Sequence, residues 1–289
     1  LNANISEPIE GSLPLSNPRV LSSHIFLHQR LHPGLLDAIG RTGAEAVEIF
    51  AARQHFDYTN PEIVEEIGSW FRSSEIPLFS LHAPIYPDLE GGRSGVPAVN
   101  VIHRDKSRRI QSMDEVKRAL ETAEVLGFKN LVLHLGERDD EWSTETVEHA
   151  LTAIEHLSAF ARPMGVRLLL ENLQNAPTVP SHLKHILEVG HFDTLGVCLD
   201  LGHAHITVGV SDAIEVLGDR IASVHVHDNH GTKDEHLWPG SGTVDFATTK
   251  AQLAALKSNP AIVLEITQTV AGPIPELPGK CAAAWSTLV

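Results

Sequence analysis

Eight short apolar runs recur along the chain, each followed by a longer stretch in which apolar residues return with helical spacing. The runs are Val20–Leu27, Ala46–Phe50, Leu78–His82, Asn130–Leu135, Val166–Glu171, Gly196–Leu201, Ile221–His227 and Ala261–Ile266. Several, such as Arg167-Leu-Leu-Leu-Glu171 and Ala261-Ile-Val-Leu-Glu265, are continuously apolar rather than alternating. That pattern predicts parallel strands buried on both faces. Between them, Asn60-Pro61 ahead of Ile63, Val64, Ile67, Trp70 and Phe71 predicts a capped helix with one apolar stripe. Ser112 with Glu115 reads as a capping box ahead of Val116, Leu120 and Ala123, in a helix that ends near Gly127. Eight strand-then-helix units without a break in composition predict one α/β domain, a closed (β/α)8 barrel over residues 19–289. An open doubly wound sheet is the alternative. Residues 1–18, rich in Pro, Ser and Asn and without periodicity, are expected to form an N-terminal arm.

A length of 289 residues suits this architecture, in which a single domain of about 250 residues is ordinary. No stretch approaches the roughly 18 unbroken apolar residues that a membrane span requires. Two cysteines make no disulfide framework; they suit a reducing compartment, so a cytoplasmic location is expected, with Cys198 as a small core residue. The formal charge of -15 opposes a broad electrostatic grip on nucleic acid. Histidine, at 18 residues, departs most from average usage, and its placement decides what it means.

In a (β/α)8 barrel the active site lies at the C-terminal mouth, so the last residues of the apolar runs carry the chemistry. Those residues are His82, His134, Glu171, Asp200 with His203, His225 and Glu265, from six of the eight runs. Singly, each is most simply a hydrogen-bonded core or capping group. Together, carboxylates and imidazoles converging on one mouth would repel or desolvate one another unless a cation neutralised them. A mixed nitrogen and oxygen donor set suits zinc, manganese, cobalt or iron, whereas calcium and magnesium prefer oxygens alone. His227 lies two residues beyond His225, and strand alternation turns both side chains to the same face.

At these residues the chain resembles the xylose-isomerase-like barrels, which include sugar (phosphate) isomerases and epimerases, ketose 3-epimerases and the type IV apurinic endonucleases. The resemblance runs from about Val20 to Ile266. It rests on Leu81-His-Ala-Pro84, Leu133-His-Leu-Gly136, Leu170-Glu-Asn172, Asp200-Leu-Gly-His203, His225-Val-His-Asp228, Asp234-Glu-His236 with Pro-Gly-Ser-Gly242, and Leu264-Glu265. It implies that Glu171, Asp200, His225 and Glu265 hold one divalent metal, as in the epimerase branch, with manganese, zinc, cobalt or magnesium as the candidates. It also implies that Glu171 and Glu265 exchange the substrate proton. His82, His134, His203, Asp234 and His236 match the additional ligands with which the endonuclease branch assembles three zinc ions, nine matches in all. In sugar-acting members the same positions would orient hydroxyl or phosphate groups instead.

The longest strand-to-helix connection carries His103-Arg-Asp-Lys-Ser-Arg-Arg109, where Arg108 and Arg109 are candidates for a substrate phosphate; a solvated, internally paired loop is the alternative. Trp142 and Trp238, in other connections at the same end, either stack on a sugar face or cap the barrel. No strand-to-helix glycine nest implies a nucleotide cofactor, and no Gly-x-Ser-x-Gly elbow implies a serine hydrolase. The expected function is therefore a metal-dependent sugar or sugar-phosphate isomerase or epimerase, with a small-molecule partner, no membrane and no nucleic acid. A homo-oligomer is left open. The alternatives are a zinc phosphodiesterase acting on abasic DNA and a metal-containing sugar binder without turnover.

Overall fold

The computed structural model describes residues 17–288, so most of the arm expected over residues 1–18 lies outside the described residues. Eight parallel strands follow one another in sequence order and close into a barrel, with the first strand paired to both the second and the eighth. They are β1 (Arg19–Ser22), β2 (Ala46–Phe50), β3 (Leu78–His82), β4 (Asn130–Leu133), β5 (Arg167–Glu171), β6 (Gly196–Asp200), β7 (Ile221–Val226) and β8 (Ala261–Leu264). One longer helix follows each strand: α1 (Pro33–Gly40), α2 (Pro61–Ser73), α3 (Lys106–Glu121), α4 (Thr144–Ala161), α5 (Pro180–Val189), α6 (Val210–Leu217), α7 (Phe246–Ala254) and α8 (Leu277–Ser286). The fold is a (β/α)8 barrel. Among the described residues no helix is long and apolar enough to cross a membrane.

Some apolar runs overshoot their strands at the mouth, and the cause is local capping. After β1 the chain turns into a 3-10 segment, Ser23–Phe26, as Ser22 Oγ accepts from the His24 amide. After β6, Asp200 caps a short helix, Leu201–Ile206, by accepting from the His203 amide at 2.6 Å. Asn60 caps α2 as its sequence predicts, accepting from the Glu62 amide. The capping box read at Ser112 and Glu115 is a misreading, because α3 begins at Lys106, where Asp105 accepts from the Arg108 amide. Ser112 and Glu115 lie inside that helix and face tertiary partners: Ser112 Oγ accepts from the Asn100 amide, and Glu115 accepts from the Tyr58 hydroxyl. The chain then leaves a short continuation at Gly127, which takes the left-handed conformation at φ 74°.

The inside of the barrel is layered by strand alternation. Val20, Ala46, Ala261 and Val263 form one small apolar cluster, and Val132, Leu169 and Cys198 another, both separate from the large core between barrel and helices. The residues between them along the strands, such as Val47, Leu133, Leu170, Leu199 and Leu264, face that outer core. Two positions on from an inward residue the chain points inward again, one step nearer the mouth. Those positions hold Glu48 after Ala46, His134 after Val132, Glu171 after Leu169, Asp200 after Cys198 and Glu265 after Val263. An apolar floor therefore lies directly beneath a ring of ionisable side chains. Cys198 and Cys281 are both buried and free.

Candidate functional site

His225 is the centre of the ring. Its Nδ1 lies 3.4 Å from Glu171 Oε1, 3.4 Å from Glu265 Oε2 and 3.9 Å from Asp200 Oδ2. Strand register sets this meeting, because His225 pairs directly with Asp200 on β6 and with Val263, two residues before Glu265, on β8. All four side chains are buried.

Two further groups flank this centre and share its carboxylates. His82 Nε2 and His134 Nε2 lie 3.3 Å and 3.0 Å from the same oxygen, Glu171 Oε2. On the other side His203 Nε2 and His236 Nε2 both lie 3.1 Å from Asp234 Oδ2. The fold thus brings the nine residues singled out in the sequence into one continuous cluster. His227 joins it, with Nε2 3.0 Å from Asp200 Oδ2 and 3.7 Å from Asp234 Oδ1.

The imidazoles show what kind of group the cluster could hold. His82 Nδ1 donates to the Ala83 carbonyl at 2.8 Å, His203 Nδ1 to the Asn172 carbonyl at 2.9 Å and His236 Nδ1 to the Glu265 carbonyl at 2.9 Å. A carbonyl only accepts, so Nδ1 carries the proton in all three rings, and each neutral ring would aim an Nε2 lone pair at a carboxylate oxygen. Such a pair of acceptors is tolerable only with a positive charge between them, supplied by a proton or by a metal ion. His225 Nδ1 and His227 Nδ1, both buried, have no hydrogen-bond partner at all. Single ligand atoms of His82, His134 and Glu171 lie within 4.8 Å of one another, as do those of Glu171, Asp200 and His203, and those of His227, His236 and Glu265. The orphaned nitrogens and the mixed imidazole and carboxylate set fit a divalent transition-metal cation.

Without a metal the same geometry polarises the ionisations. Burial opposes the charge on His225, but Cys198, Glu265, Glu48 and Glu171 around it raise its pKa well above the usual imidazole range. Burial likewise opposes the charged form of Glu171, and His134 and His225 nonetheless hold it well below the usual carboxylate range. Glu265 is brought down to about 2 against its burial, chiefly by His225 and His236. Against burial, Asp200 and Asp234 raise His203 to about 10, and Asp234 and Glu265 raise His236 to about 9. Both glutamates are therefore ionised at neutral pH.

Asp234 and His236 stand on the loop after β7, and Asp228 fixes that loop. Its buried carboxylate accepts from the amides of Gly240 and Gly242 at 2.9 Å and 2.8 Å, and from those of Asn229 and Val244. Gly242 is required by this packing, since a Cβ there would lie 2.3 Å from the Asn229 carbonyl oxygen. His236 takes the left-handed conformation at φ 45°, held by its bonds to Glu265 and Asp234.

The remaining candidates are engaged elsewhere. Arg109 donates to the carbonyls of His103 and Arg104, and Arg108 meets the His103 ring. Trp142 stacks on His182 with ring centroids 3.7 Å apart, and Trp238 Nε1 donates to the Val270 carbonyl. Two residues escaped the sequence reading. Glu48, on β2, is fully buried with Oε1 3.2 Å from His225 Nε2. The signal for it was a lone carboxylate inside an apolar run, which burial makes costly unless it is partnered. His24 was hidden by reading Val20–Leu27 as one strand. It sits 5.0 Å from the His236 ring, and burial lowers its pKa to about 4. With these two, all eight strands or the turns following them contribute to the cluster. His24 and Phe50 also line a neighbouring cavity of about 320 Å³ with Gln54, Tyr86 and Arg93.

Comparisons with known proteins agree with this fold. The profile of the xylose isomerase-like TIM barrel family matches residues 36–284. Protein MJ1311 of Methanocaldococcus jannaschii is 26% identical over 85% of this chain and 82% of its own length. An inosose isomerase of Bacillus velezensis is 22% identical over 77% of each chain, and a probable endonuclease 4 of Halobacterium salinarum is 27% identical over 53% of this chain and 62% of its own. The crystal structure of the IolI protein with a zinc atom superposes with a TM-score of 0.75 at 19% identity, covering 94% of this chain and 98% of that one.

Proposed function

Because the chain belongs to the xylose isomerase-like TIM barrel family, we propose that it is a divalent-metal-dependent isomerase or epimerase of a sugar or sugar phosphate. The observation that carries this reading is the approach of Glu171, Glu265 and Asp200 to the unpartnered Nδ1 of His225. Similarity to an inosose isomerase and to the zinc-containing IolI structure supports it.

In this reading Glu171, Asp200, His225 and Glu265 would hold the ion, with manganese, zinc or cobalt as candidates. When bound it supplies Lewis acidity to a carbonyl and the adjacent hydroxyl of the sugar, which acidifies the hydrogen on the carbon between them. The two glutamates do the proton work. Both are buried and ionised, so either can take that hydrogen as a proton; the other, once it has taken up a proton from solvent, can deliver that one to the substrate, and the first then releases its own to solvent. Return to the opposite face of the same carbon inverts it; return to the neighbouring carbon isomerises the sugar. His82 and His134, both on Glu171 Oε2, fix that carboxylate and leave Oε1 facing His225. The test is exchange of substrate hydrogen with deuterated water across ketoses, aldoses and inosose-like polyols. Exchange that depends on added divalent metal is the expected result, and its absence from every class overturns the reading.

A second reading is favoured by the flanking groups. His82 and His134 on Glu171, and His203 and His236 on Asp234, would supply donors for two further ions, the arrangement of a zinc phosphodiesterase acting on abasic DNA. The likeness to the Halobacterium endonuclease points the same way. The net charge of -15 opposes it. Metal-dependent nicking of an abasic-site oligonucleotide, with three zinc ions bound per chain, would replace the first reading by this one.

A further inference from the structure

Glu48 takes no part in the chemistry proposed above, yet it is a fully buried carboxylate within the ring. Its surroundings assign it one direction. Ser80, its direct partner on β3, donates its hydroxyl to Oε2 at 2.7 Å. On the other side His225 Nε2 is hydrogen-bonded to Oε2 at 3.3 Å, while Oε1, 3.2 Å from the same nitrogen, has no hydrogen-bond partner. His82, His203 and His236 are oriented by backbone carbonyls, whereas His225 is oriented by a charged side chain.

We propose that Glu48 is the positioning residue of the metal centre: it holds the Nε2 proton of His225, so that Nδ1 keeps its lone pair for the cation. A carboxylate behind a ligating imidazole fixes its tautomer and ring angle and makes the ring more basic than a carbonyl would. Glu48 thereby acts through His225 and not on the substrate. The Ser80 hydroxyl and the imidazole N–H together offset the desolvation of Oε2, while Oε1 has only its 3.2 Å approach to Nε2. A direct role as a fourth carboxylate ligand requires Glu48 to hold the ion whether or not His225 is present, and this separates the two assignments.

The inference rests on the reading of the cluster as a metal centre, and zinc affinity, measured by competition with a chromogenic chelator, tests it without recourse to turnover. Glu48→Ala is expected to weaken zinc binding by about 10- to 100-fold. Glu48→Gln, whose amide oxygen can still accept the Nε2 proton, is expected to retain more of it. In a His225→Ala background, Glu48→Ala is expected to add no further loss, because its route to the ion is gone. A further loss of the same size there makes Glu48 an independent ligand and overturns the proposal, as does unchanged affinity in the single variant. Should Glu48→Ala fail to fold, imidazole nitrogen NMR of the zinc-loaded native protein decides the matter. A proton on Nε2 of His225 with Nδ1 bound to zinc supports the assignment, and the reverse overturns it. A native protein that binds no zinc or manganese removes the metal reading itself, and this inference falls with it; native binding with an indifferent Glu48 variant removes only the inference.

Discussion

A Cβ built on Gly202 would lie 2.0 Å from Cε1 of His227, so the missing side chain of the one is the space occupied by the ring of the other. The glycine of Asp200-Leu-Gly-His203 thus serves the site by close approach, since its backbone φ is not in the left-handed range. Gly202→Ala is expected to push the His227 ring off Asp200 Oδ2, from which its Nε2 lies 3.0 Å. Overpacking of this kind costs about 1–3 kcal/mol. Denaturant unfolding and zinc titration of the variant check it, and a fully native profile in both would show that the ring has room to move.

Among the described residues no hydrogen bond to the Glu265 carboxylate ties it to a structural task, and it faces both His225 and His236. Glu265→Gln removes the carboxylate proposed to exchange the proton while keeping the shape. Exchange of substrate hydrogen with solvent, measured per bound metal ion, is expected to fall by about 100-fold or more. Unchanged exchange would assign the proton transfer to another group, and unchanged sugar binding in a protein without any exchange would mark a binder.

Removal of the metal should be visible in stability as well as in activity. An ion that binds only the folded state stabilises it by mass action, about 2.7 kcal/mol at a hundredfold excess over Kd. Exhaustive chelation is expected to lower Tm by several degrees, and zinc or manganese to restore it saturably. One ion per chain at saturation suits the isomerase reading, and three suit the phosphodiesterase.

Much of this site was legible because strand ends in a barrel share one address. His82, Glu171 and Asp200 close apolar runs whose boundaries coincide or nearly coincide with the observed strands, so their position at the mouth followed from the run itself. Asp234 and His236 were legible only through resemblance, because a loop with no period has to be folded by Asp228 before its residues have a location. Glu48 showed only as a lone carboxylate inside an apolar run, which does not say what partners it. It lies two positions before the end of β2, and only the closed barrel brings β2 across to β7, 177 residues later in the chain. The helix start at Asp105 was missed for a different reason: Ser112 and Glu115 have the spacing of a cap, and tertiary partners claim both.

His55 offers a separate handle on the fold, away from the ionisable cluster. It is fully buried at the join between β1 and the segment after β2, where Nδ1 donates to the Gln29 carbonyl at 2.6 Å. That leaves Nε2 as an acceptor for the Ser23 hydroxyl at 3.0 Å, and Ser23 Oγ in turn accepts from the Phe50 amide. Burial lowers its pKa to about 4 from an unfolded value of 6.5. The sign follows from proton counting. Between these two values the unfolded chain binds the proton and the folded one does not, so stability contributed by neutral His55 is complete above pH 6.5 and is lost as pH falls towards 4. The full span corresponds to roughly 3 kcal/mol at about 1.36 kcal/mol per pKa unit. Other groups titrate in the same window, so the informative quantity is the difference between the native protein and His55→Asn, whose amide can still donate to Gln29. Urea unfolding at pH 7 and at pH 4.5 is expected to show the native advantage over the variant shrinking by more than half. An advantage that stays constant across that range would mean that His55 is not held neutral by its burial.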